Sequence, residues 1–404
     1  MIKEEFDIVV LGAGRIGTTL GIGLSKRYRV ALLGVANPFN KNGEIIFEQK
    51  TKEKVFLNQN LKFFSEAKHK KIALADGGLI VLATKTIDLS KVTERYILPL
   101  LFDRHSFLIL CVQNGVTPEL IVEETLRKNK INPDDCLVAG IILGKAEFKK
   151  VRNERVLSSK FDRIILGAWN NFEKRIHLMR GTARILQDIT LISIAGDKTE
   201  YLQARFEKAI MNQANSLSAI FGAKIGEILE NPQLNEWLWN KINEAILVAN
   251  KNGANLSGKK VKAATLKVYE ELVYDHYTSM AQDIFSTLET PRQPATTEID
   301  QLDLAFWKLG TSKGYAPPLN KFFGKYIKEF CFSLNNLRKT KIKDASHFGK
   351  ELIDLNRKSV GLEPLFGQPE LTTQPSTLGG LADLKQNLEK LQRQFKIHKK
   401  RTGF

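Results

Sequence analysis

Three polar side chains in the second half of the chain could act together on a substrate. Lys208, Asn212 and Asn215 occur within the segment FEKAIMNQANSLSAI, whose other positions are mostly apolar. In an α-helix, residues i, i+4 and i+7 lie within about 60° of one another around the axis. Polar groups on a buried helix are costly unless they face a polar cleft. The spacing therefore predicts either a helix face that lines a cleft or a stripe that is open to solvent.

Two further polar clusters follow in the same half of the chain. Residues 277–283 (YTSMAQD) form a small, polar stretch on a predicted helix and include Ser279. Glu298 follows Thr297 where another helix is predicted to begin, and Thr is a good N-cap. A carboxylate in a first helical turn already suits the helix dipole. A chemical role for Glu298 therefore needs support from elsewhere in the chain.

Lys85 and Asn114 each follow a short apolar run. Residues 78–83 (GLIVLA) and 107–112 (FLILCV) are typical of buried parallel strands. Ligands of open α/β sheets bind outside the carboxyl ends of the strands. Both side chains are therefore predicted to face a ligand, although an exposed loop lysine and a simple Asn-Gly turn would produce the same pattern.

A glycine motif near the start of the chain predicts what that ligand is. An apolar run, residues 8–11, precedes a G-x-G-x-x-G spacing, and helical periodicity follows to Lys26. The motif consists of Gly12, Ala13, Gly14, Arg15, Ile16 and Gly17. Its glycines allow a tight turn, close approach of a pyrophosphate, and close packing of helix on strand. This arrangement predicts a dinucleotide site at the N-terminus of the helix.

The sequence pattern predicts an α/β protein with an N-terminal Rossmann-like domain and an all-helical C-terminal domain. Strands are predicted over 28–33, 56–64 and 190–194, and several more between 136 and 166. From about residue 196 the pattern becomes helical. The predicted limits are 1–198 for the dinucleotide-binding domain, 199–337 for the helical substrate domain and 338–404 for a basic flexible tail.

The predicted tail carries part of an unusual charge. The net charge is +17, and residues 338–404 contribute +7 from 14 Lys and Arg against 7 Asp and Glu. Leucines between 381 and 391 and Phe395 follow spacings of three and four, which predict a short amphipathic helix. A solvated basic surface explains the charge most simply. The tail could also pair in a homodimer or contact a nucleic acid, a membrane surface or a protein partner.

The composition is that of an ordinary soluble protein and favours a cytoplasmic location. No stretch approaches the 18 or more apolar residues of a membrane span, and the first strand begins too early to follow a signal peptide. Cys111, Cys136 and Cys331 are scattered and lack the spacing of metal ligands. We therefore expect a reducing compartment and no metal site.

Cofactor preference depends on the end of the second strand. NAD sites usually carry an acidic residue there for the ribose 2′-hydroxyl, but this chain continues with Gly34 and Val35. The missing carboxylate favours NADP. Arg15 and Lys41 are the nearest candidates for contact with a 2′-phosphate.

Taken together, these motifs resemble the ketopantoate reductases (2-dehydropantoate 2-reductases) over about residues 6–335. The resemblance rests on the order and spacing of six segments, GAGRIG, TKT, VQNG, EKAIMNQANSLSAI, SMAQD and TEID. Members of the family commonly have an arginine after the second strand, and this chain does not. The tail has no counterpart in the family.

The resemblance implies NADPH-dependent reduction of a 2-oxo acid, 2-dehydropantoate to pantoate in coenzyme A synthesis. It implies that Lys208 donates the proton and that Glu298 supports it. The substrate would be bound by Asn212, Asn215, Ser279 and Asn114. Lys85 and Asn114 would lie beside the nicotinamide ribose. The alternatives are another 2-oxo acid on the same scaffold, or a dinucleotide-binding interaction protein that lacks catalysis.

Overall fold

A computed structural model describes residues 3–48, 52–85, 89–101, 106–151, 154–289, 297–340 and 342–366. These residues form two compact units. The first unit comprises the described parts of 1–213, 239–268 and 298–324. The second unit comprises 214–238, the described part of 269–297, and the described residues from 325 onward.

The first unit is built on a sheet of ten strands among the described residues. They are β1 (Glu4–Leu11), β2 (Val30–Gly34), β3 (Glu44–Glu48), β4 (Lys52–Phe56), β5 (Leu61–Ser65), β6 (Ile72–Leu82), β7 (Phe107–Cys111), β8 (Leu137–Val151), β9 (Glu154–Gly167) and β10 (Leu191–Ile194). The strands are hydrogen-bonded in the order β4-β3-β9-β8-β7-β6-β1-β2-β5, and β10 pairs with β9.

Six neighbouring strands, from β5 through β2, β1, β6 and β7 to β8, are parallel. Parallel strands are covered on both faces, which requires apolar side chains at nearly every position. Val9, Ile80 and Leu110 in the three central strands are all fully buried. The strand order around β1 is that of a dinucleotide-binding sheet. The predicted Rossmann-like fold is thereby confirmed.

One predicted strand is wrong in its extent. Residues 56–64 do not form a single edge strand, because β4 ends at Phe56 and β5 begins at Leu61. Between them the side chain of Asn58 accepts hydrogen bonds from the backbone N–H groups of Asn60 (2.7 Å) and Leu61 (3.0 Å). This local bonding by asparagine closes a turn in place of a continuous ladder.

Helices cover the sheet and make up the described chain after β10. They are α1 (Arg15–Leu24), α2 (Leu89–Val92), α3 (Leu98–Leu101), α4 (Pro118–Lys128), α5 (Ile176–Leu186), α6 (Lys198–Ile210), α7 (Ala214–Phe221), α8 (Ile225–Glu230), α9 (Pro232–Lys251), α10 (Gly258–Leu272), α11 (Ser279–Glu289), α12 (Asp303–Ser312), α13 (Pro318–Thr340) and α14 (Ile342–Ser359). The predicted all-helical C-terminal part is confirmed. The predicted domain limits at 198 and 337 stay predictions, and the two compact units divide the helices along other lines.

The helix predicted to carry Lys208, Asn212 and Asn215 is interrupted. Helix α6 ends at Ile210, a turn occupies residues 211–213, and α7 begins at Ala214. In that turn the N–H groups of Asn212 and Gln213 bond carbonyls three residues back, at 3.1 and 2.9 Å. Such tightening ends an α-helix. The prediction of one continuous helix face was therefore wrong, because Asn215 lies on a different helix.

The second unit extends into the predicted tail. Helix α14 packs on the carboxyl end of α7, where Asn356 donates to the Ile220 carbonyl (3.0 Å) and Arg357 to that of Gly222 (2.7 Å). Arg357 also pairs with Glu227 at 2.7 Å. These donors satisfy carbonyls that have no partner at a helix end. The prediction that packing ends near residue 338 is wrong, whereas the leucine pattern at 381–395 lies outside the described residues.

No helix in the described part of the chain is long and apolar enough to cross a membrane. The side chains of Cys111, Cys136 and Cys331 are all buried.

We expect Arg357→Met to lower the stability of the protein by about 2 kcal/mol, because it leaves the carbonyls of Phe221 and Gly222, and the Glu227 carboxylate, without their charged donor. The adjacent Lys358 is exposed on the same helix, so Lys358→Met is the matched control. Thermal unfolding of the two variants checks this. Equal melting temperatures would show that α14 contributes no such contact.

Candidate functional site

The glycine turn after β1 is shaped by close backbone contacts. Gly12 has φ +111°, and a Cβ there would lie 2.6 Å from the backbone of Ala83 and Thr84. A Cβ on Gly17 would lie 1.8 Å from the Gly12 carbonyl oxygen. A Cβ on Gly14 would meet nothing within 4 Å. Two glycines are thus required by packing, while the third leaves open space before the first turn of α1, where N–H groups can bind an anion.

Two other candidate segments lie at the same edge of the sheet. The Ala83 N–H donates to the Leu11 carbonyl (2.8 Å), and the Val112 N–H donates to that of Leu82 (3.1 Å). The ends of β1, β6 and β7 are therefore in register. Lys85 follows β6 and Asn114 follows β7, and both residues are exposed at this edge.

Buried polar atoms at this edge fit a bound dinucleotide. The hydroxyl of Thr84 and both amide atoms of Gln113 are buried and have no hydrogen-bond partner in the described structure. Buried polar atoms are normally satisfied by protein groups, water or a bound ligand, so these atoms are available to a ligand at this edge. Together with the open space at Gly14, these atoms fit a cofactor that carries phosphates and hydroxyls.

Gln301 joins the turn that carries Asn114 to the chain that carries Glu298. The Asn114 turn (residues 113–116) is held through the Val116 N–H, which donates to the Gln301 carbonyl at 2.9 Å. The Gln301 side chain accepts a second bond, from the Thr117 hydroxyl, at 2.9 Å. Gln301 ends the short 3₁₀ turn Ile299–Gln301, and Glu298 immediately precedes that turn. We call residues 298–302 the Glu298 segment.

Arg205, three residues before Lys208, joins α6 to the same turn. Arg205 donates to the Gln113 carbonyl (3.0 Å) and pairs with Glu119 at 2.8 Å. The hydroxyl of Tyr201, one turn earlier on α6, donates to the same carboxylate at 2.5 Å. Sequence reasoning missed these residues, because a single arginine or glutamate gives no sign of its distant partner.

A second buried ion pair supports the other side of this arrangement. Lys241 on α9 lies 2.5 Å from the Asp303 carboxylate and donates to the Gln213 carbonyl at 2.8 Å. Both charged side chains are fully buried. Gln213 closes the turn after α6, and Asp303 begins α12 directly after the Glu298 segment. Lys241 therefore joins the chain that follows Lys208 to the chain that follows Glu298.

The side chain of Lys208 is half-buried. Burial lowers the pKa of its ammonium below the ordinary lysine value, because a charge is less well solvated there. The amide of Asn212 donates to the Lys208 carbonyl at 3.1 Å and so closes the end of α6. Asn212 thus remains beside Lys208 despite the break in the helix.

Asn215 and Ser279 belong to the second unit, where they are held near each other. Asn215 is buried near the start of α7, and its carbonyl accepts a bond from the Thr278 hydroxyl at 3.4 Å. The Thr278 N–H donates to Ser218 on the same helix at 3.2 Å. Ser279 is the next residue and begins α11. The predicted residues therefore fall into two groups, one in each unit.

Gly34, the last residue of β2, has no room for a side chain. A Cβ on Gly34 would lie 2.4 Å from that of Ala13 in the glycine turn. The next residue, Val35, is 83% exposed. Arg15 is half-buried at the start of α1, and Lys41 is exposed in the loop after β2. No cluster of His, Cys, Asp or Glu in the described residues could hold a metal ion.

Two family descriptions match the chain. "Ketopantoate reductase PanE/ApbA" matches residues 8–171, and "Ketopantoate reductase PanE/ApbA C terminal" matches residues 200–330. The matched ranges include every candidate residue named above. Helix α14 lies beyond them.

Individual proteins agree with this match. A 2-dehydropantoate 2-reductase of Aquifex aeolicus (strain VF5) is 31% identical over 138 residues, which are 33% of this chain and 41% of that relative. The alignment thus spans less than half of the relative's length.

Solved structures share the fold. A ternary structure of D-mandelate dehydrogenase with NADH and anilino(oxo)acetate has a TM-score of 0.65 and 21% identity, and covers 82% of this chain and 100% of that one. A dimeric ketopantoate reductase from Staphylococcus aureus has a TM-score of 0.59 and 18% identity, and covers 82% and 99%.

We expect Lys208→Met to raise the melting temperature at neutral pH, because it removes a charge whose burial is unfavourable. The cost is fully present below the lowered pKa of Lys208 and disappears as the pH approaches the ordinary value of 10.5. The gain should therefore shrink with rising pH in thermal unfolding. Lys198 is exposed on the same helix, and Lys198→Met is the control. Equal behaviour of the two variants would contradict the expectation.

Proposed function

This chain belongs to the ketopantoate reductase PanE/ApbA family, and we propose that it catalyses the NADPH-dependent reduction of 2-dehydropantoate to pantoate. One observation carries the proposal. Lys208, Asn114 and Glu298 lie on three elements that Arg205, Gln301 and Lys241 join to one another. The glycine turn lies at the same edge of the sheet as Asn114. A proton donor and a dinucleotide cradle are what a carbonyl reduction requires.

In this proposal Lys208 acts on the carbonyl oxygen. When bound, the nicotinamide supplies a hydride to the carbonyl carbon. Negative charge then develops on the oxygen, where the Lys208 ammonium stabilises it and transfers a proton from Nζ. The lowered pKa of Lys208 suits this transfer, since a buried ammonium gives up its proton more readily. The products are a hydroxyl group and a neutral lysine, which solvent reprotonates.

The remaining candidate residues orient the reactants. Glu298 accepts a hydrogen bond from the new hydroxyl group and favours the charged form of Lys208. Asn212 supplies a neutral hydrogen bond beside Lys208, and Asn215 and Ser279 supply neutral hydrogen bonds to the substrate carboxylate and hydroxyl. Neutral donors bind a carboxylate without neutralising it, so the site depends on several of them together.

The cofactor contacts follow from the edge of the sheet. The N–H groups at the start of α1 hold the pyrophosphate over Gly14, and Thr84 and Gln113 offer unsatisfied polar atoms nearby. Lys85 and Asn114 contact the nicotinamide ribose and the substrate. NADPH is favoured over NADH by the missing carboxylate after β2, with Arg15 or Lys41 as the phosphate contact.

A second candidate substrate class is another 2-oxo acid. The D-mandelate dehydrogenase that shares this fold was solved with NADH and anilino(oxo)acetate, an aromatic 2-oxo compound. We also propose that the protein is cytoplasmic and forms a homodimer. The dimeric Staphylococcus aureus relative supports the homodimer.

We expect purified protein to oxidise NADPH when 2-dehydropantoate is added, and Lys208→Ala to lower kcat by about 100-fold or more, because the proton donor is lost. The assay follows absorbance with NADPH and NADH against a panel of 2-oxo acids. Lys198→Ala is the control. Turnover of another 2-oxo acid alone would support the second candidate, and unchanged kcat in Lys208→Ala would exclude the proposed donor.

We expect Gly14→Ala to weaken cofactor binding by about tenfold or more without lowering the melting temperature, because a Cβ there occupies the space left for the pyrophosphate. Gly258 also has open space around it, at the start of α10, so Gly258→Ala is the matched control. Fluorescence titration with NADPH and NADH measures the affinity. Equal affinities in the two variants would place the pyrophosphate elsewhere.

A further inference from the structure

We propose that Arg205 is a positioning residue that sets the placement of Lys208 relative to the Asn114 turn. The proposal rests on the function proposed above. In this proposal Arg205 touches neither substrate nor cofactor. It acts through α6, which carries Lys208, and through the Asn114 turn.

The guanidinium of Arg205 uses three nitrogen atoms on three partners. Nε donates to the Tyr201 hydroxyl (3.1 Å), one terminal nitrogen to the Gln113 carbonyl (3.0 Å), and the other to the Glu119 carboxylate (2.8 Å). A planar guanidinium holds such partners in fixed directions, which a lysine ammonium cannot do. Arg205 therefore determines the position of α6 as well as neutralising Glu119.

The two anchored positions lie next to proposed site residues. Gln113 immediately precedes Asn114, and Lys208 lies one turn after Arg205 on α6. A shift of α6 along its axis would break the bond to Gln113 and leave a buried carbonyl without a donor. Because misplacement of a reacting group by about 1 Å can cost 100-fold in rate, this bond bears directly on catalysis.

The partners of Arg205 are themselves fixed. Arg205, Glu119 and Tyr201 are all at most 2% exposed, so neither charge has water as a substitute partner. Tyr201 packs so closely on β9 that a Cβ on Gly167 would lie 2.1 Å from its ring. Arg205 is thus held from the sheet side as well as from α4.

The same unit contains a matched arginine. Arg175 is 1% exposed and pairs with Glu123 (3.0 Å) and Asp134 (2.6 Å). Glu123 lies one turn after Glu119 on α4. None of these partners is adjacent to a proposed site residue. Arg175 is therefore as buried as Arg205 and is also ion-paired. It differs from Arg205 because its partners are not next to proposed site residues.

The test compares Arg205→Lys with Arg175→Lys in the full chain. Both variants should lose stability to a similar degree. Only Arg205→Lys should lower kcat by about tenfold or more, with the affinities for NADPH and NADH within twofold of wild type. The pKa of Lys208 can be measured by NMR titration of ¹³C-dimethylated lysines, with the Lys208 signal assigned from Lys208→Arg. This pKa should move toward the ordinary lysine value only in Arg205→Lys.

The outcomes are distinguishable. If the wild type reduces no 2-oxo acid, the proposed function fails, and the Lys208 titration still decides the role of Arg205. If Arg205→Lys matches Arg175→Lys in kcat and in that titration, the positioning role is overturned. If Arg205→Lys does not fold, Tyr201→Phe replaces it, because it removes a hydroxyl that bonds both Arg205 and Glu119. Wild-type kcat and titration in Tyr201→Phe would then overturn the proposal.

Discussion

The arrangement of the candidate site in the first unit depends on polar groups that are buried and therefore must be paired. Arg205 joins α6 to the Asn114 turn, and Gln301 joins that turn to the Glu298 segment. Lys241 then joins the turn that follows α6 to Asp303, which follows the Glu298 segment. A buried charge or carbonyl that loses its partner cannot recover it from water. Each element is therefore held from two sides, and a displacement of any one leaves unsatisfied groups at two contacts.

Close backbone packing places a second constraint on the site. The glycine turn approaches both the end of β6 and the end of β2, and Gly34 has no space for a side chain beside Ala13. A larger residue at position 34 would therefore displace the glycine turn. The end of β2 and the proposed phosphate cradle are linked by this close packing.

In the second unit, a helix beyond the matched range packs on a helix within it. Helix α14 lies beyond the matched range, yet Asn356 and Arg357 satisfy the last carbonyls of α7, the helix that carries Asn215. A Cβ on Gly222 would lie 2.7 Å from Ile353, so the end of α7 is shaped for this close approach. The role proposed for Asn215 therefore depends in part on contacts made by residues beyond the matched range.

The sequence by itself determined the features that depend on local spacing. Apolar runs predicted the buried strands at β1, β6 and β7, and the glycine spacing predicted the turn after β1, because strand periodicity and backbone conformation are properties of neighbouring residues. The order of polar motifs along the chain was enough to identify the family.

Only the tertiary structure decided the features that depend on distant partners. The break after Ile210 accompanies a bond from Lys241 to a carbonyl in the turn, and the pairing of Arg205 with Glu119 joins residues 86 positions apart. Helix α14 was missed because its buried face includes Asn356 and Arg357, which hydrophobic periodicity does not detect. The residues next to a charged side chain in the sequence do not show whether it will be solvated or paired, because its burial is set by the whole fold.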